Sequence, residues 1–468
     1  MNPYSFLIPR LNGDKIEEDF SYYSELVRKG VAGFIVFGGE VESLRQGIQR
    51  LQELAGYPLM TASDLESGLG QQVRGGTLFP PSMGIASALN RMADEERDYF
   101  LRRIYSAIAS EAHYAGINTI LAPVLDINSN PENPIIATRS FGEDVEVVSF
   151  YGSGMIRCFK EWGIMSCGKH FPGHGDTDRD SHQELPVINK TLKGLEEFEL
   201  IPFKKAIDAG VDLIMLGHLS VTCLEPSGWP ATLSERVVSY LRDVMGFRGV
   251  IITDAMNMKG LSSYPEEEAS LLALKAGIDL ILHPSDPDKV AGYIKQGLPD
   301  LNARKPEIRV SLHVNRPDFN SHKRLSEELF YKSIRFEGDL KTIRNPFMIL
   351  LTDEPIEKSR FLINWFKDLY GKGNILILTD QQIPWHKVPE GKDIIVTVFS
   401  DVGAWKINKY KYFKELFNKI YKKVDLFLSF GNPYILQGVN IPVIFAYSTS
   451  EEAQIAVVKY IIDKGLIL

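Results

Sequence analysis

The stretch GVIITD (residues 249–254) is a short apolar run that ends on a carboxylate. Val250, Ile251 and Ile252 follow one another without the polar alternation of a strand that has one face in water. A continuous apolar run of this length indicates a strand covered on both faces, as in a parallel sheet between helices. The stretch therefore favours an α/β fold in which Asp254 follows directly on a buried strand.

Runs of the same kind recur along the first 300 residues, and they are separated by segments long enough for helices. The eight runs are SFLIP (5–9), VAGFIVF (31–37), YPLMTAS (57–63), INTILAPVL (117–125), GIMSCG (163–168), VDLIMLG (211–217), GVIIT (249–253) and IDLIL (278–282). Residues 93–116 and 195–210 have helical spacing, with Gly116 and Gly210 as stop signals. Eight β-then-α units predict a (β/α)8 TIM-type barrel, and a doubly wound open sheet is the structural alternative.

A second block follows the charged helix predicted at residues 322–335. Its apolar runs are FMILLTD (347–353), NILILTD (374–380), DIIVTVF (393–399), VDLFLSFG (424–431) and PVIFAYS (442–448). These five runs indicate buried strands of a smaller α/β sandwich-like domain. The sequence therefore predicts a catalytic barrel over residues 1–320 and a C-terminal domain of unassigned role over residues 321–468.

Bulk composition narrows the functional classes. The 468 residues carry 52 Lys and Arg against 60 Asp and Glu, a net charge of −8, which gives no reason to expect nucleic acid or an anionic membrane as a partner. Three cysteines are too few for a disulfide framework or a zinc site. Residues 1–20 lack a basic region followed by an apolar one, and no apolar run approaches the roughly 20 residues that span a bilayer. We expect a soluble cytoplasmic protein without a secretory signal.

Polar side chains follow most of the apolar runs. In run order they are Asp64 and Glu66 after the third, Asp126 and then Arg139 after the fourth, the stretch GKHFPGHGDTDRDSH after the fifth, His218 after the sixth, Asp254 after the seventh and His283 after the eighth. The carboxyl ends of barrel strands meet at one face, where the active site of such a fold lies. The positions therefore predict an active site at this face.

Asp254 has two interpretations from its position alone. It is either the N-cap of the helix that follows the strand or a reactive carboxylate at the barrel mouth, and Asp is common at N-caps. The spacing of residues does not separate the two.

The stretch GKHFPGHGDTDRDSHQELP (168–186) gathers ionisable groups in a segment rich in glycine and proline. The i, i+4 pair of histidines in it is interrupted by Pro172 and Gly173, which disfavour a continuous helix. One hypothesis is a loop that gathers a metal site from His170, His174, Asp176 and His182. The other is that Asp180 accepts a hydrogen bond from one ring nitrogen of His182 and fixes the tautomer of an imidazole that transfers protons.

Together these groups fit attack at an acetal carbon. Asp254 would supply a nucleophilic or stabilising carboxylate, and the loop of residues 168–186 would supply the proton-transfer group. The groups expected to bind substrate hydroxyls are Asp64, Arg139, Lys169 and His170.

The chain resembles glycoside hydrolase family 3, in particular its bacterial β-N-acetylglucosaminidase branch. The resemblance covers most of residues 1–335, and three segments carry it: KHFPGHGDTDRDSHQELP (169–186), PATLSERVVSYLRDVMGFRGVIITDAMNMKG (230–260) and TRSFGED (138–144). It implies a retaining exo-acting enzyme that releases terminal N-acetylglucosamine from small glycans, such as cell-wall turnover fragments or chitooligosaccharides. No metal and no other cofactor is implied.

The resemblance also implies the roles of individual residues. Asp254 would attack the anomeric carbon and form a glycosyl ester, and His182, oriented by Asp180, would protonate the leaving oxygen and later activate water. The hydroxyls of the terminal sugar would be held by Lys169, His170, Asp64 and Arg139.

One segment departs from the family pattern. In SDLESGLGQQVRGG (63–76), Ser67 stands where the family has a glycine, and no role is assigned to Glu66 or Arg74. Three alternative functions stay open: a β-N-acetylglucosaminide phosphorylase that transfers the sugar to phosphate, a metal-dependent barrel hydrolase, and a sugar-binding protein without turnover.

Overall fold

The computed structural model describes residues 2–177, 179–181, 184–298, 315–339, 341–379, 383–401, 403, 410–439 and 441–467. The chain divides into two compact units. The first comprises Met1–Leu78, Asp98–Asn133 and Ser140–Lys323, and the second comprises Phe79–Arg97, Pro134–Arg139 and Arg324–Leu468. The second unit thus takes two segments from within residues 1–320, the range predicted for the barrel.

The regular elements follow the predicted order. The strands are β1 (Leu7–Ile8), β2 (Arg10–Asn12), β3 (Gly33–Phe37), β4 (Met60–Ser63), β5 (Thr119–Ile120), β6 (Met165–Phe171), β7 (Val187–Ile188), β8 (Leu213–Leu216), β9 (Ser220–Val221), β10 (Val250–Thr253), β11 (Ile281–Leu282), β12 (Arg335–Glu337), β13 (Pro346–Thr352), β14 (Ile375–Leu378), β15 (Asp393–Ser400), β16 (Leu426–Gly431) and β17 (Val443–Phe445). The α-helices are α1 (Phe20–Lys29), α2 (Val41–Ala55), α3 (Ser82–Leu89), α4 (Asp94–Tyr114), α5 (Val145–Glu161), α6 (Leu192–Glu197), α7 (Leu200–Asp208), α8 (Glu235–Ser239), α9 (Glu266–Lys275), α10 (Pro287–Gly297), α11 (Phe319–Ser333), α12 (Arg360–Tyr370), α13 (Tyr410–Ile420) and α14 (Glu451–Asp463). Each of the thirteen apolar runs contains a strand.

The first unit is an α/β fold built on a curled parallel sheet. Seven strands pair in the order β10-β8-β6-β5-β4-β3-β2, and every neighbouring pair is parallel. Beside them β1 pairs in parallel with β11, and Ile252 of β10 forms a parallel bridge with Leu280. One apolar cluster joins Ile8, Met60 and Leu282, so the inner faces of the first and last strands pack together.

Both faces of this sheet are buried, as the runs without polar alternation predicted. In β8, Met215 belongs to the cluster enclosed by the sheet, whereas Ile214 belongs to the cluster between the sheet and the helices. Ile252 and Ile251 of β10 divide between the two clusters in the same way. Because successive side chains point to opposite faces, each strand needs apolar residues at every position.

The helix boundaries follow local sequence signals, with one correction. Gly116 and Gly210 lie just beyond α4 and α7 with φ of +89° and +83°, so the predicted stops are confirmed. The predicted single helix over 195–210 is wrong, since α6 and α7 are separate helices that flank Phe198 and Glu199. Pro202 lies in the first turn of α7, and its ring would clash with the carbonyl of Phe198 in a continuous helix.

The second unit has its own sheet. Its six strands pair in the order β12-β17-β16-β15-β13-β14, in parallel except for β12 against β17. An apolar cluster that includes Ile349, Val396 and Phe427 covers this sheet, and Phe417 of α13 packs in it. Among the described residues of the chain, no helix is long and apolar enough to cross a membrane.

Candidate active site

Four of the described residues predicted to form a site lie at or just after the carboxyl ends of strands of the first unit: Asp64, Lys169, His170 and Asp254. Lys169 and His170 are adjacent at the end of β6, where the pairing with β8 shifts register between Gly168 and Phe171. A regular strand would direct two successive side chains to opposite faces. Here both side chains instead bond carboxylates that follow β4 and β5, the two strands next in order on one side of β6.

Lys169 is buried between two carboxylates. Its Nζ lies 2.6 Å from Oδ1 of Asp64 and 2.7 Å from Oε1 of Glu66. The side chain of Glu66 is 6% exposed and that of Asp64 is 27% exposed, so Asp64 is the carboxylate that faces open space. Glu66 had no role assigned from the sequence, and its carboxylate holds the buried ammonium beside Asp64.

Asp126 is a fully buried carboxylate that the sequence placed at this face without a role. Its Oδ2 accepts a hydrogen bond from Nδ1 of His170 at 2.7 Å, and its Oδ1 accepts one from the backbone N–H of His174 at 2.6 Å. The backbone N–H of His170 is shared between both oxygens at 3.2 and 3.3 Å. Burial opposes ionisation, but the charges and hydrogen bonds of His170 and His174 prevail and lower the pKa of Asp126. An acceptor of this kind requires a proton on Nδ1 of His170.

His174 is not arranged as a metal ligand. Its Nδ1 and Nε2 bond the hydroxyls of Thr177 and Ser181 at 2.6 and 3.0 Å. Burial, with the nearby charge of His170, lowers the pKa of His174 to about 4, so the ring is neutral at neutral pH. Asp176 bonds Lys190 instead, at 3.2 Å. Within the part of the chain that the structure describes, no group of three His, Cys, Asp or Glu residues could hold a metal ion.

The loop that carries the predicted dyad is described on either side of His182, which itself lies outside the described residues. The side chain of Asp180 is buried. The carbonyl of Ser181 accepts a hydrogen bond from the backbone N–H of Gly260 at 3.0 Å. The residue before His182 is thereby bonded to the loop that follows β10 and that begins with Asp254.

Asp254 is not the N-cap of a helix. The next α-helix, α9, begins at Glu266, and Oδ1 of Asp254 accepts from the N–H of the adjacent Ala255 at 2.7 Å. The backbone N–H of Asp254 donates to the carbonyl of Leu216 at 3.0 Å, which extends the pairing of β10 with β8. The N-cap alternative is therefore wrong.

His218, at the end of β8, fixes the backbone beside Asp254. Its Nε2 lies 3.0 Å from the carbonyl oxygen of Ala255, and its Nδ1 lies 2.9 Å from Oγ1 of Thr232. A carbonyl only accepts, so Nε2 carries the proton and Nδ1 accepts from the hydroxyl. The position of His218 after a strand was the only sequence signal for this role.

The charges of Asp64, Lys169 and Asp254 all affect the pKa of one buried residue of β6. Burial raises the pKa of Cys167 in β6, Lys169 opposes the rise, and the charges of Asp64 and Asp254 add to it. At the end of β11, burial and the charge of Arg10 lower the pKa of His283 to about 4. Asp64, Lys169 and Asp254 thus act on the same buried thiol.

The structure gives bonding partners for two arginines considered from the sequence. Arg139 belongs to the second unit, where its Nη1 donates to the carbonyl of Ile135 at 3.2 Å. Arg74 is exposed and forms ion pairs with Asp14 at 2.7 Å and Glu40 at 2.5 Å. Arg74 therefore lies on the surface, next to the loop that follows β3.

Most of the segment that carries these residues matches a known family model. Residues 17–316 match the N-terminal domain of glycosyl hydrolase family 3, which is well over half of the chain. The chain belongs to glycosyl hydrolase family 3. The family match contains Asp64, Asp180 and Asp254, and it ends before the five strands of the second block.

Similar proteins in this family carry related names. The chain is 33% identical over 285 residues to β-hexosaminidase A of Pseudoalteromonas piscicida, and it is 33% identical over 309 residues to a β-hexosaminidase of Idiomarina loihiensis. The first alignment covers 56% of this chain and 47% of that protein, and the second covers 65% and 90%. The chain thus spans about half the length of the first relative.

A solved structure is similar over nearly the whole chain. It is a family 3 β-N-acetylglucosaminidase from Paenibacillus sp. str. FPU-7, with 26% identity and a TM-score of 0.77. The match covers 99% of this chain and 96% of that one. It extends beyond residue 316, where the match to the family model ends.

Proposed function

We propose that this chain is a retaining exo-β-N-acetylglucosaminidase that removes terminal N-acetyl-β-D-glucosamine from small glycans. Family 3 membership and similarity to proteins named β-hexosaminidase support glycoside hydrolysis. The observation that carries the proposal is Asp254, a carboxylate at the end of β10 that caps no helix. The charges of Asp64 and Asp254 act on the same residue of β6, which supports a shared site.

In the proposed reaction Asp254 attacks the anomeric carbon. The bond from that carbon to the leaving oxygen breaks as His182 donates a proton to the oxygen, and a glycosyl ester of Asp254 remains. Water then attacks the same carbon, His182 takes a proton from the water, and the carboxylate of Asp254 leaves. Two displacements at one carbon retain the β configuration. Asp180 would orient the imidazole of His182 for both proton transfers.

The terminal sugar would be held by Asp64, Lys169, His170 and Arg139. The exposed fraction of Asp64 supports a carboxylate that accepts hydroxyl hydrogens while its Oδ1 stays bonded to Lys169. The bond from His170 to Asp126 supports an imidazole of fixed orientation, in which Nε2 is the atom left to meet the substrate. Glu66 would be a positioning residue for Lys169.

We further propose that the curled sheet is a closed (β/α)8 barrel over residues 1–320. The pairing of β1 with β11 and the bridge from Ile252 to Leu280 support closure. Residues 321–468 would form an α/β domain that the chemistry does not require, since Asp254 and the loop after β6 precede it. The proposed setting is cytoplasmic turnover of cell-wall fragments or chitooligosaccharides, without nucleic acid, membrane or cofactor.

The test replaces Asp254 with asparagine and measures hydrolysis of an aryl N-acetyl-β-glucosaminide. Loss of a covalent nucleophile should lower kcat/KM by at least about a thousandfold. Asp212→Asn is the matched control, because the side chain of Asp212 accepts from the backbone and hydroxyl groups of Ser166 in β6. Undiminished turnover by the Asp254 variant would remove this residue from the role of nucleophile.

A phosphorylase is the second candidate. A neutral imidazole base places no second negative charge near the nucleophile, so phosphate could replace water as the acceptor. The same wild-type assay with and without phosphate, followed by detection of a sugar 1-phosphate, separates the two reactions. Formation of free sugar at an unchanged rate in phosphate supports the hydrolase.

A further inference from the structure

Two aromatic rings meet at the same end of the first unit as Asp254. Trp229 lies in the segment that follows β8 and β9, and Tyr264 lies in the segment between β10 and α9. Their ring centroids are 6.3 Å apart with an interplanar angle of 62°. Trp229 is 40% exposed, although a ring of this size is usually well buried.

Hydrogen bonds connect the Trp229 segment to the backbone beside Asp254. The N–H of Ala231, two residues after Trp229, donates to the carbonyl of Leu219 at 2.7 Å. The next residue, Thr232, bonds Nδ1 of His218, and Nε2 of His218 donates to the carbonyl of Ala255. The segment that carries the exposed indole is therefore hydrogen-bonded, through His218, to the backbone that follows β10.

The proposed substrate would lie across this face, with its terminal sugar near β4 and β6 and its leaving group toward the loops after β8 and β10. The groups proposed to hold the terminal sugar, Asp64, Lys169 and His170, follow β4 and β6, whereas Trp229 and Tyr264 lie in loops after β8 and β10. A sugar attacked by Asp254 directs its leaving group away from the residues that hold its hydroxyls. The C–H groups on the face of a pyranose are attracted to the negative face of an aromatic ring.

We propose that Trp229, supported edge-on by Tyr264, is a platform for the leaving group, so that the enzyme prefers glycosides whose leaving group is itself a pyranose. This inference rests on the proposed function and names the class of substrate for it. Trp229 is a specificity-determining residue in this scheme. It contacts the leaving group, which departs before the ester of Asp254 is hydrolysed.

The experiment compares two substrates that share the terminal sugar. One is a β-linked disaccharide of N-acetylglucosamine, and the other is methyl N-acetyl-β-glucosaminide, which offers no ring to the platform. Trp229→Leu keeps apolar bulk but removes the flat face, and Trp229→Phe keeps a flat face. Trp162→Leu is the matched control, because Trp162 is also 40% exposed but lies between α5 and β6, at the opposite end of the strands.

In the Trp229→Leu variant, kcat/KM for the disaccharide should fall about tenfold, and kcat/KM for the methyl glycoside should stay within about twofold. Trp229→Phe should recover most of the loss, and Trp162→Leu should change neither value. Equal losses on both substrates, no loss on either, or the same loss in the Trp162 variant would overturn the platform. If Trp229→Leu does not fold, Tyr264→Leu, which removes the supporting ring, carries the same comparison.

Failure of the proposed function gives a different result. Wild-type protein that hydrolyses neither glycoside would refute the glycosidase proposal. Calorimetric titration of the disaccharide then tests the platform without turnover. About tenfold weaker binding by the Trp229→Leu variant supports it, and unchanged or undetectable binding in wild type and variant overturns it.

Discussion

Asp126→Asn is the substitution that most directly tests the hydrogen-bond network of the site. The carboxylate accepts from His174 N–H on one oxygen and from His170 Nδ1 on the other, with His170 N–H shared between them. An amide has one oxygen, so its NH2 group must face one of these donors. The least costly arrangement keeps the short bond to His174 and moves the proton of His170 from Nδ1 to Nε2.

The cost follows from the bonds that are lost or weakened. One charge-assisted bond disappears and two become bonds to a neutral oxygen, around a side chain that is fully buried. At roughly 1 to 1.5 kcal/mol for each bond, Asp126→Asn should lower the free energy of unfolding by about 3 kcal/mol at pH 7. The tautomer change turns Nε2 of His170 from an acceptor into a donor, so KM should rise as well.

The difference in the free energy of unfolding between wild type and Asp126→Asn should depend on pH, and the sign of that dependence follows from the pKa of Asp126. The folded-state pKa of Asp126 is below its ordinary value of 3.8, so its ionised form stabilises the fold above that pH. The stabilisation is lost as the pH falls through the folded-state pKa. The gap between wild type and Asp126→Asn should therefore be full at pH 7 and should narrow below about pH 4.

Urea unfolding at several pH values measures the gap, and Asp212→Asn is its control. A single oxygen of Asp212 accepts both bonds from Ser166, so the amide oxygen can replace it at a cost below about 1 kcal/mol. Equal losses in the two variants, or an Asp126 gap that does not change with pH, would refute this account of the network.

Three further predictions concern its neighbours. Glu66→Gln removes one of the two charges that hold Lys169, and kcat/KM should fall about tenfold with an aryl N-acetyl-β-glucosaminide. In Gly260→Ala the added carbon would lie 2.9 Å from the carbonyl oxygen of Ser181, so the segment before the predicted acid must shift and kcat should fall about 10- to 100-fold. The pKa of His174 is about 4 in the folded chain against an ordinary 6.5, so between pH 6.5 and pH 4 only the unfolded chain binds a proton at this residue. The free energy of unfolding should therefore drop by about 3 kcal/mol as the pH falls from 6.5 to 4. His174→Gln should remove that drop in urea titrations.

These predictions have separate controls. Glu161→Gln, which breaks a surface pair with Arg102, should leave kcat/KM unchanged where Glu66→Gln lowers it. Gly292→Ala adds a carbon to α10 in open space and should keep wild-type kcat. Parallel pH slopes for wild type and His174→Gln would assign the acid loss of stability to other groups.

The strands could be predicted because each is an apolar run, and burial on both faces makes such runs easy to recognise. The break before α7 could also have been predicted, since Pro202 excludes a continuous helix. Membership of Phe79–Arg97 and Pro134–Arg139 in the second unit could not be predicted, because it depends on contacts with residues far along the chain. The sequence within each of these two segments does not indicate which distant residues it will contact.

Within the candidate site, the residues that could be predicted from the sequence are charged groups next to apolar runs. Asp64, Lys169 and Asp254 are charged groups at the ends of apolar runs, and their positions alone indicated a site. Glu66 was left aside because the neighbouring Ser67 departs from the family pattern, yet its carboxylate bonds Lys169. Asp126 follows a run like the others, but its three donors come from residues 44 and 48 positions later and become neighbours only in the folded chain.

Asp126 also joins two functions that the sequence presented as separate. Through His170 it orients a group proposed to bind the terminal sugar, and through His174 it reaches the hydroxyl of Ser181, next to the predicted acid. The carbonyl of the same serine accepts from Gly260 in the loop after Asp254. Under the proposed function, substrate binding and proton transfer would both depend on one buried carboxylate. A defect in Asp126→Asn should accordingly appear in both KM and kcat, whereas a defect in Glu66→Gln should appear mainly in KM.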